Sequence, residues 1–322
     1  MRPAIRKLIS GLSGLSLAWC AVAPLAAQEQ PRREGGMHRT LGDHRFIPNT
    51  FIRNPFVQTY LRNGLGGGIT SNLLVTVEVP NKPPVTVGGD LLFLNLDMEF
   101  QALLTKWLAV RFGGSGLARL GTSFEALLTE GASGGYGTNY GATVRVLETK
   151  RLALSAIVDG SSSSLYGVTP LDYARALLNG NSEPDSLLQN TNGSTIYAGA
   201  TLAYTPARWL GLTGVFRAGS VDQLGGGERS GATELAVLGD VDFKTISAVP
   251  LGMTLGYRHQ SKPERAGDVS SGGISSYGWG LFYTARRDFS LGIEGEYFQL
   301  SQRESQRKYD AFSARLVTRF DF

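Results

Sequence analysis

The stretch GYRHQSKPERAG, residues 256–267, places His259 two residues before Ser261. On an extended strand such a pair projects from one face. A base beside a hydroxyl is what acyl transfer uses, the imidazole taking the proton of the attacking oxygen. The face is apolar, since it continues Leu255 and Tyr257. An orienting carboxylate would have to come from the loop, as Glu264 or Asp268. The outward neighbours on adjoining strands are Thr233 on one side and Ser275, Tyr277 and Trp279 on the other. The plain alternative is that His259 is one interfacial residue in an aromatic girdle. A second kind of chemistry is electrostatic. Asp97 and Glu99 adjoin the strand of Arg111, and Arg145 adjoins Asp159. Asp240 and Asp242 lie between the strands of Arg217 and Arg258, while Glu294 and Glu296 adjoin Arg315 and Arg319. Asp97, Glu99, Arg111, Arg258, Glu294, Glu296 and Arg315 are the candidate lining of an internal space. The histidines are His38, His44 and His259, two of them near the N-terminus, so no metal set emerges and no cofactor is implied. The clusters GLGGG and LGGGE lack a Walker lysine and read as turns.

The elements that would hold these residues alternate with period two. Twelve spans are read: 67–79, 89–105, 107–120, 136–148, 151–163, 194–205, 208–221, 231–245, 250–262, 273–285, 288–301 and 309–322. On 91–104, Leu92, Leu94, Leu96 and Met98 oppose Asn95, Asp97, Glu99 and Gln101. Every second connection is tight (TKW, TKR, PAR, AVP, ARRD), and the others are long and rich in Gly, Ser or charge. TPLDYARALLNG at 169–180 and TSFEALLTEG at 122–131 read as short helices within two of the long connections. Typical soluble strands run about 5–6 residues. Strands of a dozen or so are long enough to cross an apolar band of about 25 Å at a tilt of roughly 40°. The pattern predicts an all-β chain, a closed antiparallel up-and-down transmembrane β-barrel of about twelve strands. Its short turns would be periplasmic and its longer loops extracellular.

The N-terminus supplies the address. Arg2, Arg6 and Lys7 precede an apolar run from Leu8 to Ala23, with small residues at Ala26 and Ala27. This predicts a signal peptide over 1–27, Sec export, and cleavage near Ala27. Bulky Trp19 before Cys20 speaks against a lipoprotein, and Cys20 is the sole cysteine. The formal charge of +4 includes three basic residues in 1–27 and no acidic ones there, leaving +1, so no nucleic-acid partner is implied. The chain has 42 glycines and 10 % aromatics. With mean hydropathy near zero, that suits a wall whose apolar and polar faces average out. Residues 28–66 are expected to form either a periplasmic N-terminal segment or a plug, and 67–322 the barrel domain.

The closing stretch AFSARLVTRFDF, with Phe320 and Phe322 on the apolar side, resembles the terminal assembly signal of bacterial outer-membrane β-barrels. The architecture from Gly66 to Phe322 resembles the porin and transport-barrel class of about twelve strands. That resemblance implies residence in a Gram-negative-type outer membrane, contact with its lipid, and engagement of the barrel-assembly machinery through the last strand. It also implies passive passage of a small solute. About eight strands leave no pore and 16–18 leave an open one, so twelve allow a narrow conduit or a filled lumen. The His259-x-Ser261 pair is similar to that of outer-membrane phospholipase A and of lipid A deacylases. It departs from the phospholipase at Lys262 and Pro263, where that family has Asn-Gly. Three functions remain on this reading: a channel, a lipid-facing acyl hydrolase, and a structural barrel or adhesin.

Overall fold

The computed structural model describes residues 39–77, 85–123, 131–168, 188–222, 229–261, 271–302 and 308–322. The expected signal peptide, its cleavage site and the expected helix at 169–180 lie outside these residues, as does most of the one at 122–131. Two short strands come first, β1 (Thr40–Leu41) and β2 (His44–Arg45). The long strands follow as β3 (Tyr60–Val77), β4 (Val85–Thr105), β5 (Leu108–Gly121), β6 (Ala132–Glu148), β7 (Leu152–Val168) and β8 (Leu188–Ala207). Then come β9 (Leu210–Asp222), β10 (Ser230–Asp242), β11 (Leu251–Gln260), β12 (Ser271–Tyr283), β13 (Phe289–Gln302) and β14 (Lys308–Asp321). Each long strand pairs antiparallel with its chain neighbour, and β14 pairs with β3, so the sheet closes on itself with twelve strands. Closure removes the free edges that make an isolated sheet prone to aggregate.

Alternation sorts the two faces. Leu94, Leu96, Phe112, Leu255, Tyr277, Ile293 and Leu316 are exposed on the outside, whereas Glu99, Gln101, Arg111, Asp159, Thr201, Asp240 and Glu294 are buried inside. This inverts the soluble arrangement, as expected where lipid covers the outer wall. Phe320 and Phe322 are exposed on the same outer face, and Phe320 packs its ring 5.1 Å from that of Phe289. Tyr257, Tyr277, Tyr297 and Phe312 occupy successive register positions across four strands. The tyrosine rings stand 5.3 Å and then 6.4 Å apart, a continuous aromatic row near one rim of the apolar band. Trp107 and Trp209 mark the opposite rim, at the short turns.

Several strands run longer than the sequence reading on the long-loop side, β7 by five residues and β8 by six, and two further boundaries differ for a local reason. The first barrel strand begins at Tyr60, not Gly67. Its inward positions include Gly64 and Gly66, whose missing side chains hide the alternation; Asp97, Asn95 and Arg315 occupy the vacated space. The strand expected over 231–245 stops at Asp242. Asp242 Oδ1 accepts from the Lys244 amide at 3.1 Å and its carbonyl from the Thr245 hydroxyl at 2.7 Å. These local bonds compete with the ladder, and a single helical turn, α1 (Lys244–Ser247), follows.

Candidate functional site

The lumen is built from the inward positions of the strands and from residues 39–59, which run inside the barrel. Gly42 and Asp43 both have positive φ, 54° and 66°, the backbone of a type I′ turn, and this joins β1 to β2 as a hairpin. The hairpin is fixed at the short-turn end. Arg39 meets Asp321 at 2.7 Å, and Arg45 donates to the carbonyls of Thr284, Arg286 and Arg287. Burial pushes Arg39 down to about 9, against the opposing pull of Asp321. His44 is fully buried, with Nε2 at 2.7 Å from Asp240 Oδ1 and Nδ1 at 3.2 Å from the Arg208 carbonyl.

The segment then climbs to mid-lumen. The Thr50 amide donates to Glu294 at 2.8 Å, and the Thr50 hydroxyl reaches the other oxygen of that carboxylate. The Phe51 ring fits a notch made by two wall glycines. A Cβ at Gly256 or Gly278 would fall 2.8 Å or 2.5 Å from it. The Arg258 guanidinium lies over the ring at 4.9 Å and donates to the Phe51 carbonyl at 3.2 Å. Arg53 pairs with Glu99 at 2.6 Å and with Asp159 at 3.5 Å. The chain descends again, with Ser155 donating to the Pro55 carbonyl and Gln101 to those of Phe56 and Gln58, before Tyr60 opens β3. Phe56 packs with Leu41, Phe46, Ala153 and Ala203. The segment is thus tied to walls on opposite sides of the barrel.

Asp97, Glu99, Arg111, Arg258, Glu294, Glu296 and Arg315 lie on the inward side of the wall, and ion pairs join most of them in one circuit. Glu234 pairs with Arg217 at 2.8 Å, Arg217 with Asp159 at 3.1 Å, and Asp159 with Arg53. Arg53 leads to Glu99, then to Arg62 at 3.5 Å, Asp97 at 3.8 Å and Arg315 at 4.0 Å. Arg315 meets Glu296 at 3.2 Å, and Glu296 meets Arg258. Arg258 on β11 lies two residues from Gln260, the register partner of Glu234 on β10, so the pairs nearly encircle the lumen. Arg111 reaches Asp159 across the intervening strand β6 by passing over Gly141. A Cβ there would lie 2.6 Å from the carboxylate and 3.0 Å from the guanidinium. Mixed signs in a partly dry interior are stabilising only when each charge is paired and hydrogen-bonded, and this circuit supplies the partners.

Three pairings differ from the sequence reading. Arg145 meets Glu148 at 2.8 Å rather than Asp159, because it lies four residues nearer the turn than Gly141, the register partner of Asp159. Arg319 meets Asp321 at 2.8 Å and stacks 3.7 Å over Tyr60, not against a glutamate. Asp240 is engaged by His44 of the internal segment. Arg53, Tyr60, Arg62 and Glu234 belong to the circuit or its contacts without figuring in the sequence reading. Glu234 alone carried a signal, as the polar position between outward Thr233 and Leu235.

Above Thr50 the lumen keeps a cavity of about 350 Å³. Thr50, Arg62, Asn95, Asp97, Ser115 and Arg315 line it together with Leu96, Gly116 and Leu117. Below, between Thr50, Phe51, Glu294 and Arg315, only about 10 Å³ remains, so the segment packs closely on this wall.

On the outer face, His259 Nδ1 lies 3.2 Å from Ser275 Oγ, which also contacts Tyr257 Oη at 3.3 Å. Ser261 Oγ instead accepts from the Thr233 amide at 2.8 Å. Among the described residues no hydrogen bond joins His259 to Ser261, and Lys262, Pro263, Glu264 and Asp268 lie outside them. No group of three or more metal-ligating side chains occurs among the described residues.

The chain matches no known protein-family model and no curated relative. Its structure is similar to that of an outer membrane channel from Pseudomonas putida F1, at 13 % identity and a TM-score of 0.55, over 86 % of this chain and all of that one. The translocator domain of the autotransporter NalP from Neisseria meningitidis aligns at 11 % identity and a TM-score of 0.49, over 82 % of this chain and 89 % of that one. The NanC porin aligns at 8 % identity and a TM-score of 0.47, over 81 % and 100 %. With its closed antiparallel wall of twelve strands, apolar outside and polar within, this chain has the fold of the bacterial outer-membrane β-barrels, the class to which channels and transporters belong.

Proposed function

We propose that the protein is an outer-membrane channel for a small solute, with residues 39–59 seated as an internal constriction. The observation that carries this reading is the polar lumen itself. A wall built only to stand in lipid needs no cavity of about 350 Å³ into which Thr50, Arg62, Asp97, Ser115 and Arg315 bring polar groups. Closed barrels of eight strands fill their interiors with side chains; this one leaves space and partly occupies it with a separate segment. The solute would enter from the long-loop side, meet the charged circuit, and pass the segment to reach the periplasm. Export behind a cleaved signal peptide, and insertion through the terminal strand ending in Phe320 and Phe322, belong to the same proposal.

Single-channel recording of the refolded full-length protein tests it. Discrete ohmic conductance steps are expected, larger when the segment is loosened by substitution at Phe51. Absence of conductance in both the unmodified and the loosened protein overturns the channel. His259 and Ser261 bond to different neighbours, which speaks against the acyl-hydrolase alternative.

A further inference from the structure

We propose that the cavity above Thr50 is a binding site for small organic anions, carboxylates in particular. The inference rests on the channel reading and gives its solute a chemical class. The charge circuit is formally mixed, yet its two signs are not equally presented to lumen water. Side-chain exposure runs from 12 % at Arg62 to 24 % at Arg53, with Arg217, Arg315 and Arg258 between. Glu99, Glu234, Glu294, Glu296 and Asp159 are exposed by only 2–7 %. Arg111 apart, itself only 2 % exposed, the guanidiniums are more exposed than the carboxylates they pair with. An approaching solute meets the positive side of each pair first, and low-dielectric walls strengthen that field. Rings of arginine at a constriction select anions for this reason.

The exception locates the site. Asp97, 23 % exposed, lies between Arg62 and Arg315 at 3.8 and 4.0 Å. These separations are beyond hydrogen-bonding reach; Arg62 leans on Glu99 at 3.5 Å and Arg315 bonds Glu296 at 3.2 Å, so Asp97 is a carboxylate near both guanidiniums that neither bonds. Arg62 Nε is buried and makes no hydrogen bond. Asn95, Ser115 and Thr50 add neutral polar groups around the same space. The resident Asp97 shows what group this corner accepts. A second carboxylate, brought by a solute, could take the Nη1 of Arg315 that Asp97 does not reach, while Nη2 keeps its bond to Glu296 at 3.2 Å and Nε faces Glu294 at 3.8 Å. About 350 Å³ suits a small molecule, near the lower end of ligand pockets of roughly 300–1,000 Å³.

Equilibrium titration of the full-length protein in detergent tests this. The probes are succinate, its uncharged diamide, and 1,4-diaminobutane, which share a four-carbon chain. Saturable succinate binding is expected, with the diamide and the diamine weaker by about tenfold or more, the loss of one charge-assisted contact. Arg315→Gln should weaken succinate comparably and Arg315→Lys restore part of it. Asp97→Asn should tighten it, by removing the competing carboxylate. Equal binding of the three probes, no saturable succinate binding, or an Asp97→Asn protein that binds succinate no better overturns the inference; the last result decides even if Arg315→Gln does not fold. Conductance is read separately. A conducting barrel without succinate preference refutes this site alone, and a succinate-binding barrel that never conducts refutes the channel alone.

Discussion

Replacing Phe51 with alanine isolates how firmly the internal segment is seated. The ring is buried against Gly256 and Gly278 and covered by Arg258 at 4.9 Å. Truncating a packed phenylalanine to alanine costs about 3–5 kcal/mol where the surroundings cannot collapse. Here they cannot, because both glycines belong to ladders of paired strands. The lost cation–π contact adds about 0.5–1 kcal/mol. At about 1.4 kcal/mol per tenfold, the opening equilibrium of the segment shifts by roughly two to four decades. The barrel strands keep their ladders, and the segment keeps Arg53 with Glu99 and Arg39 with Asp321. Hydrogen exchange read by mass spectrometry separates the two regions. The Thr50 and Ile52 amides, now bonded to Glu294 and Asn49, should exchange faster by the same factor, with the strands unchanged. Unaltered protection at these amides refutes the reasoning. Equal loss of protection in segment and strands refutes it too, because the segment would then be inseparable from the barrel's own stability.

Four further outcomes are expected. Glu99→Gln leaves Arg53 with Asp159 at 3.5 Å and Arg62 with Asp97 at 3.8 Å, so the loss should fall below the roughly 3–5 kcal/mol of a fully broken buried pair, read as a lower unfolding temperature in detergent. Gly141→Ala should fold poorly, since its Cβ meets the Val158 carbonyl and the Asp159 carboxylate each at 2.6 Å, whereas Gly116→Ala meets nothing within 4 Å and should match the unmodified protein in refolding yield. Leu96→Arg puts a charge on the lipid side at a cost of about 2–4 kcal/mol, measured by reversible folding into vesicles. Ser261→Ala should leave phospholipid and lipid A turnover by the purified protein as they were.

The wall was legible because period-two alternation is a direct record of lipid on one side and polar groups on the other. Leu92 to Met98 against Asn95 to Glu99 reads as a strand without any knowledge of its partners. It failed where glycine replaces the inward residue, as at Gly64 and Gly66, and where Asp242 turns the chain by bonds to its own neighbours. Inward charges were legible for the same reason, but their partners were not. Asp159 collects Arg53, Arg111 and Arg217 from the segment and from strands on either side, a convergence set by barrel curvature and by the gap over Gly141. The internal segment had no periodicity to read. Its order comes from wall groups far away in sequence, such as Asp240 for His44 and Glu294 for Thr50, which a local pattern does not encode.

The tenancy of residues 39–59 has a consequence for sign. They bring Arg39, Arg45 and Arg53 into the conduit against a single acid, Asp43, a contribution of +2. Emptied of them, the same twelve strands would surround a bore two units more negative, with Glu99, Asp240, Glu294 and Asp321 each short of a tenant that now covers it. On the proposed channel reading, vacating the tube would therefore do more than widen it: the proposed preference for anions would swing toward cations, the occupant setting polarity as well as calibre.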